Sequence, residues 1–171
     1  MPKLHAFLDQ TGVMYQDYPS GRDTGITDPE GIKTQLSPED GWSFLNTPNF
    51  PVEAVAMEDA PIFRPTGFDH LLLNVTNVEK SAAFYQRFLG MPAECSAGRL
   101  WFQTGASRVG LMETPRGESP GVHHFCISAA GFDYNTAVRK LQQLGAAVES
   151  TDEKGLVQFR DPDGLRIQVG S

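Results

Sequence analysis

The apolar positions of residues 67–171 change period several times, and each change marks an element. Leu71, Leu73 and Val75 alternate with His70, Leu72 and Asn74, the two-residue period of a strand with unlike faces. From about Asn77 the spacing becomes three and four. Ser81, Phe84, Tyr85, Phe88 and Leu89 then build one helical stripe, and Gly90 supplies the left-handed stop. Short β-rich runs follow at 93–95, 100–103 and 108–113. The whole order then recurs. Phe125 and Ile127 alternate with His124, Cys126 and Ser128, a helical pattern runs from Phe132 to Leu144 and stops at Gly145, and β-rich runs follow at 147–150, 156–160 and 165–169. From His70 to Gly90 is 20 residues and from His124 to Gly145 is 21, so the pattern predicts one unit of strand, helix and three strands used twice. Asp161-Pro162-Asp163-Gly164 reads as a tight turn between the last two strands, with proline presetting φ and glycine allowing φ > 0.

A third copy is incomplete. Asp28-Pro29-Glu30-Gly31 and the following Ile32 to Leu36 echo Asp161 to Val169, and Gly12 precedes Asp28 by 16 residues, as Gly145 precedes Asp161 by 16. Residues 1–36 are therefore expected to hold the end of a helix and three strands, without an opening strand. Such a fragment exposes strand edges and an apolar face. The segment is expected to pack on another chain or swap into a homodimer, or else to be the remnant of a truncated two-domain parent. Residues 37–66, with Pro38, Pro48, Pro51, Pro61 and Pro65, read as an extended linker. The fold class is thus α+β: two tandem βαβββ units over 67–171, preceded by a partial third unit.

Composition narrows the partners. Fourteen Lys and Arg stand against 21 Asp and Glu, a net charge of −7 with no basic stripe to neutralise a run of phosphates, which argues against nucleic acid. No stretch of 18 apolar residues occurs and the first residues lack a signal-peptide pattern, so no membrane is expected and a cytoplasmic location is the reading. Cys95 and Cys126 fit no ligand spacing and read as small buried hydrophobes. Trp101 reads as a core or surface residue, with a place beside the pocket as the alternative.

Four features in this order and spacing resemble the vicinal oxygen chelate superfamily, which holds glyoxalase I, bleomycin-binding proteins, fosfomycin-resistance enzymes and extradiol dioxygenases. They are Asp69-His70, the Ser81-x-x-Phe84-Tyr85-x-x-x-Leu89-Gly90 helix, the His124 strand, and Phe159-Arg160-Asp161-Pro162-Asp163-Gly164 with the strand after it. The resemblance covers essentially all of 68–170. It implies a half-open cup with a divalent metal (Fe, Mn, Zn or Ni) on its inner face, held by His70, His124 and Gln168. Gln168 stands where a glutamate is usual, so this site brings less negative charge to the cation. The fourth ligand position of glyoxalase I falls on Gly110, which has no side chain to offer. Glu113 is nearby but of opposite strand parity, and would serve as a ligand or base only through a bulge.

Strand parity places Leu72, Asn74, Met112, Cys126, Ser128 and Arg166 on the same face as the imidazoles, a mostly neutral lining for a small ligand. His123 is expected on the outer face. Two functions remain open at this level. In one, a metal acts as a Lewis acid toward two adjacent oxygens of a small molecule, as in a lyase or dioxygenase-like enzyme, classical glyoxalase I chemistry being disfavoured by the missing carboxylates. In the other, the chain is a metal-free, antibiotic-like binding protein without catalysis.

Overall fold

The computed structural model describes residues 2–19, 21–37, 61–151 and 155–171. Most of the expected linker, 38–60, lies outside them. Eleven strands and three helices are assigned among the described residues. An eight-stranded mixed sheet has the order β5-β6-β7-β4-β8-β11-β10-β9, and a separate three-stranded sheet has the order β1-β2-β3.

In the large sheet, β4 (Pro65–Val75) leads into α2 (Val78–Leu89) and then β5 (Glu94–Ser96), β6 (Arg99–Thr104) and β7 (Ser107–Glu113). The second half runs β8 (Gly121–Ala129), α3 (Tyr134–Gln143), β9 (Val148–Glu149), β10 (Val157–Arg160) and β11 (Arg166–Gly170). In both halves the opening strand pairs in parallel with the last one, β4 with β7 and β8 with β11. The halves join through antiparallel pairing of the two opening strands. Two βαβββ units side by side account for every one of these ladders.

Helices α2 and α3 begin where the sequence offers a cap. Asn77 accepts from the Lys80 N–H, and Asp133 accepts from the Thr136 N–H, so each satisfies a donor that the first turn leaves free. The buried sides of the helices close two apolar cores. Leu73, Val75, Tyr85, Phe102 and Leu111 form one, and Ala129, Ala137, Leu141, Val157 and Val169 the other. Phe63, at the end of the expected linker, stacks between Phe132 and Phe159, so the chain is already docked on the second unit before β4 begins.

The N-terminal segment carries a longer helix than the helix end expected. Its helix α1 (Pro2–Thr11) is ten residues long, the same as α3. It is followed by β1 (Tyr15–Asp17), β2 (Thr24–Thr27) and β3 (Lys33–Leu36). The segment also finds its cover within the chain. Leu8, Val13 and Ile26 pack with Phe84 and Phe88 of α2, and the Arg87 guanidinium donates to the Thr11 carbonyl. No described helix is long and apolar enough to cross a membrane.

Candidate functional site

β4 and β8 bring one histidine from each unit to the seam between the units. His70 and His124 are 2% and 0% exposed, and their Nε2 atoms face one another at 2.9 Å. Behind His70, its Nδ1 lies 2.5 Å from Asp69 Oδ1, which also accepts from Arg108. Burial works against ionising Asp69, but the hydrogen bonds from His70 and Arg108 and the Arg108 charge hold its carboxyl below the ordinary range. A carboxylate only accepts, so the His70 hydrogen sits on Nδ1. Behind His124, its Nδ1 lies 2.7 Å from Nδ1 of His123.

His124 is pushed down to about 3, by burial first and then by His70, His123, Arg99 and Arg166, so it is neutral near pH 7. Its single hydrogen has two places to go. On Nε2 it donates to His70. On Nδ1 it donates to His123, and two lone pairs then face each other across the seam, an arrangement that a cation between them stabilises. The spacing suits that second arrangement: two nitrogens each about 2.0–2.1 Å from one ion, at roughly a right angle, are about 3 Å apart. Asp69 behind His70 has the form of the outer carboxylate that orients a metal-binding imidazole.

Gln168 adds an oxygen. It is 1% exposed, its amide nitrogen donates to Gln158 Oε1 at 2.9 Å, and its own Oε1 is buried without a partner. Register places it in one row across the sheet: His70 opposite Cys126, Cys126 opposite Gln168, Gln168 opposite Gln158, and Gln158 opposite Glu149. Two imidazole nitrogens and one unpartnered amide oxygen are a donor set that fits a divalent first-row metal.

Two cavities flank the histidine pair. The larger, about 410 Å³, is lined by His123, His124, Gln168, Met112, Arg99 and Arg166, with Glu149 and Gln158 among the rest. The smaller, about 250 Å³, touches His70, Asp69, Arg108, Cys126 and Ser128. Of the residues that parity placed on this face, Met112 and Arg166 line the first cavity and Cys126 and Ser128 the second. Leu72 is fully buried and Asn74 is 2% exposed, its amide donating to Glu118. Glu113 is exposed at the end of β7.

Three sequence expectations are corrected here. His123 turns into the larger cavity and not outward, because the β4–β8 register shifts between Leu72 and Leu73, where His124 and then Val122 take the facing places. The lining is charged, not mostly neutral: Arg166 is gripped by both oxygens of Glu118 at 3.1 and 2.9 Å and lies 3.4 Å from Glu149. Cys95 is exposed, whereas Cys126 is buried as expected. Trp101 is 5% exposed and meets the His70 ring edge-on at 5.1 Å. The sequence carried no sign of the Glu118–Arg166 clamp, since Glu118 sits in the loop between units.

A paired βαβββ sheet with imidazoles from both opening strands at its seam defines a class of cupped small-molecule proteins. Residues 67–169 match the Glyoxalase/Bleomycin resistance protein/Dioxygenase superfamily, and the chain belongs to it. Glutathione transferase FosA from Serratia marcescens is 26% identical over 115 residues, 60% of this chain and 80% of that protein. The 2,3-dioxygenase LapB from Pseudomonas sp. KL28 superimposes with a TM-score of 0.67 at 18% identity, covering 99% of this chain and 66% of that one. The Mn(II)-bound glyoxalase from Novosphingobium aromaticivorans gives 0.65 at 15% identity, covering 98% and 57%. At such identities these two structures establish the fold alone, and this chain spans only 57–66% of their length.

Proposed function

We propose that the chain holds a divalent metal between His70, His124 and Gln168 and acts there on a small, anionic, oxygen-bearing molecule in the larger cavity. The observation that carries this reading is the 2.9 Å approach of two Nε2 atoms from equivalent strands, beside a buried amide oxygen with no partner. Imidazole and amide ligands bring no negative charge, so a bound divalent ion would keep its full charge for a ligand to offset. Arg99 and Arg166 stand on the wall of the same cavity. The metal would supply Lewis acidity toward two ligand oxygens. The chain's own part is to fix the imidazoles through Asp69 and His123, to hold Arg166 in the wall through Glu118, and to exclude water at the seam.

A second reading is binding without catalysis. It is favoured by one observation: Glu149, the carboxylate among the larger cavity's lining residues, is engaged by Arg160, Gln158 and Arg166, which leaves it poorly placed to move a proton. Metal analysis of the purified chain tests the first reading. Near-stoichiometric metal, lost in both His70→Ala and His124→Ala, is the expected result. A wild type that takes up no added Mn(II), Co(II) or Zn(II) would leave only the binder.

A further inference from the structure

The two units are unequal around the imidazoles, and the registers allow a residue-by-residue comparison. In the second unit His124 faces Arg166 and Cys126 faces Gln168; in the first, His70 faces Arg108 and Leu72 faces Gly110. Gly110 is therefore the counterpart of Gln168. One strand further out, Gln168 faces Gln158 while Gly110 faces Trp101. Beyond them stand Glu149 and Glu94.

Where the second unit has an amide pair, the first has an indole folded over a glycine. A β-carbon at Gly110 would lie 2.5 Å from Trp101 Cζ3 and 2.7 Å from Leu72 Cδ1, far inside van der Waals contact. Gly110 is not among the positive-φ glycines, so it is the space, and not the backbone angle, that demands glycine here. The indole cannot swing aside cheaply. Its edge-on contact with His70 and the Arg108 guanidinium 4.8 Å from its ring hold it in place.

Resting on the metal-holding reading above, we propose that Trp101 is the positioning and specificity-determining residue of the site. Its indole fixes the plane of His70 and fills the volume through which the first unit would otherwise reach the ion. The first unit then supplies one donor and the second supplies two. The larger of the two cavities then lies on the second unit's side.

The test uses the full chain, with Co(II) as probe, in wild type, Trp101→Gln, Gly110→Glu and the double variant. Gly110→Glu alone should be destabilised and bind Co(II) no more tightly than wild type. The double variant, with the indole removed, should regain folding, bind Co(II) at least about tenfold more tightly and change its visible spectrum, since the added carboxylate offsets the ion's charge. A metal-free arm compares Gly110→Ala in the two backgrounds: it should lower the Tm strongly beside Trp101 and much less beside Gln. Equal tightening by Gly110→Glu alone, or equal Tm losses in both backgrounds, overturns the role given to Trp101 while leaving the metal reading intact. A wild type that binds no Co(II) removes both.

Discussion

Tyr85 donates its phenolic hydrogen to Asp28 Oδ2 at 2.8 Å, a buried bond across 57 residues of sequence that ties the N-terminal unit to α2. The same carboxylate organises the turn at the other oxygen, where Oδ1 accepts from the N–H groups of Glu30 and Ile32. One side chain thus links the local shape of the third copy to its docking.

Replacing Tyr85 with Phe should remove the bond while keeping the ring in its core. The buried carboxylate oxygen then loses its donor, which costs about 2 kcal/mol. Urea unfolding measures the loss, and hydrogen exchange should show it concentrated in residues 2–36. A uniform loss of protection over the large sheet would contradict the docking role.

The same bond sets an alkaline limit. Burial, followed by the Asp28 hydrogen bond and charge, pushes the Tyr85 hydroxyl above its ordinary value of 10.0. In the unfolded chain a phenol ionises near pH 10, while in the folded chain it keeps its hydrogen, so the unfolded state binds fewer protons there. Stability is fully present below pH 10 and falls as pH rises above it. Urea midpoints taken from pH 8 to 11 should decline, and Tyr85→Phe should flatten that decline.

At the proposed metal site, Gln168→Glu should tighten binding of a divalent ion by about tenfold, because a carboxylate would replace a neutral amide oxygen beside the cation. Isothermal titration with Mn(II) or Zn(II) reads the change. An unchanged affinity would place the Gln168 side chain outside the set of ligands.

The ring of Trp101 is also a reporter. It lies 5.1 Å from the His70 ring, so a paramagnetic ion held by His70 should quench its emission. In a Trp42→Phe background, Co(II) should reduce fluorescence in a saturable way, and His70→Ala should abolish the effect. Quenching that persists in His70→Ala would place the ion elsewhere.

The family was legible in the chain because strand parity and the His-to-Gly spacing survive without any knowledge of neighbours, and it is the resemblance they carry that singles out His70, His124 and Gln168. What escaped counting depends on pairing. His123 faces inward because of a register shift that belongs to two strands together, and Trp101 covers Gly110 only once β6 lies beside β7. Glu118 reaches Arg166 from a loop that carries no periodic signal. The apolar side of α1, Leu4 and Leu8, packs both on its own strands through Ile26, Tyr15 and Leu36 and on Phe84 and Phe88 of α2, a set of contacts that becomes visible only once the segment is folded.

The Asp-Pro-acidic-Gly echo allows a controlled comparison of one turn in two settings. Asp28 and Asp161 make matching bonds: each Oδ1 accepts two backbone N–H groups, from Glu30 and Ile32 or from Asp163 and Leu165, and each backbone closes over four residues with the glycine at φ 85° or 87°. Asp161→Ala removes the turn bonds alone, a loss of about 1–2 kcal/mol. Asp28→Ala removes the same bonds and the Tyr85 contact, so it should cost about 2 kcal/mol more. Combining Asp28→Ala with Tyr85→Phe should cost clearly less than the sum of the two, since both delete one shared bond. Strict additivity in that double-mutant cycle, measured by urea unfolding, would mean the hydroxyl and the carboxylate contribute independently and that the third copy is held to α2 by its apolar face and the Arg87–Thr11 bond.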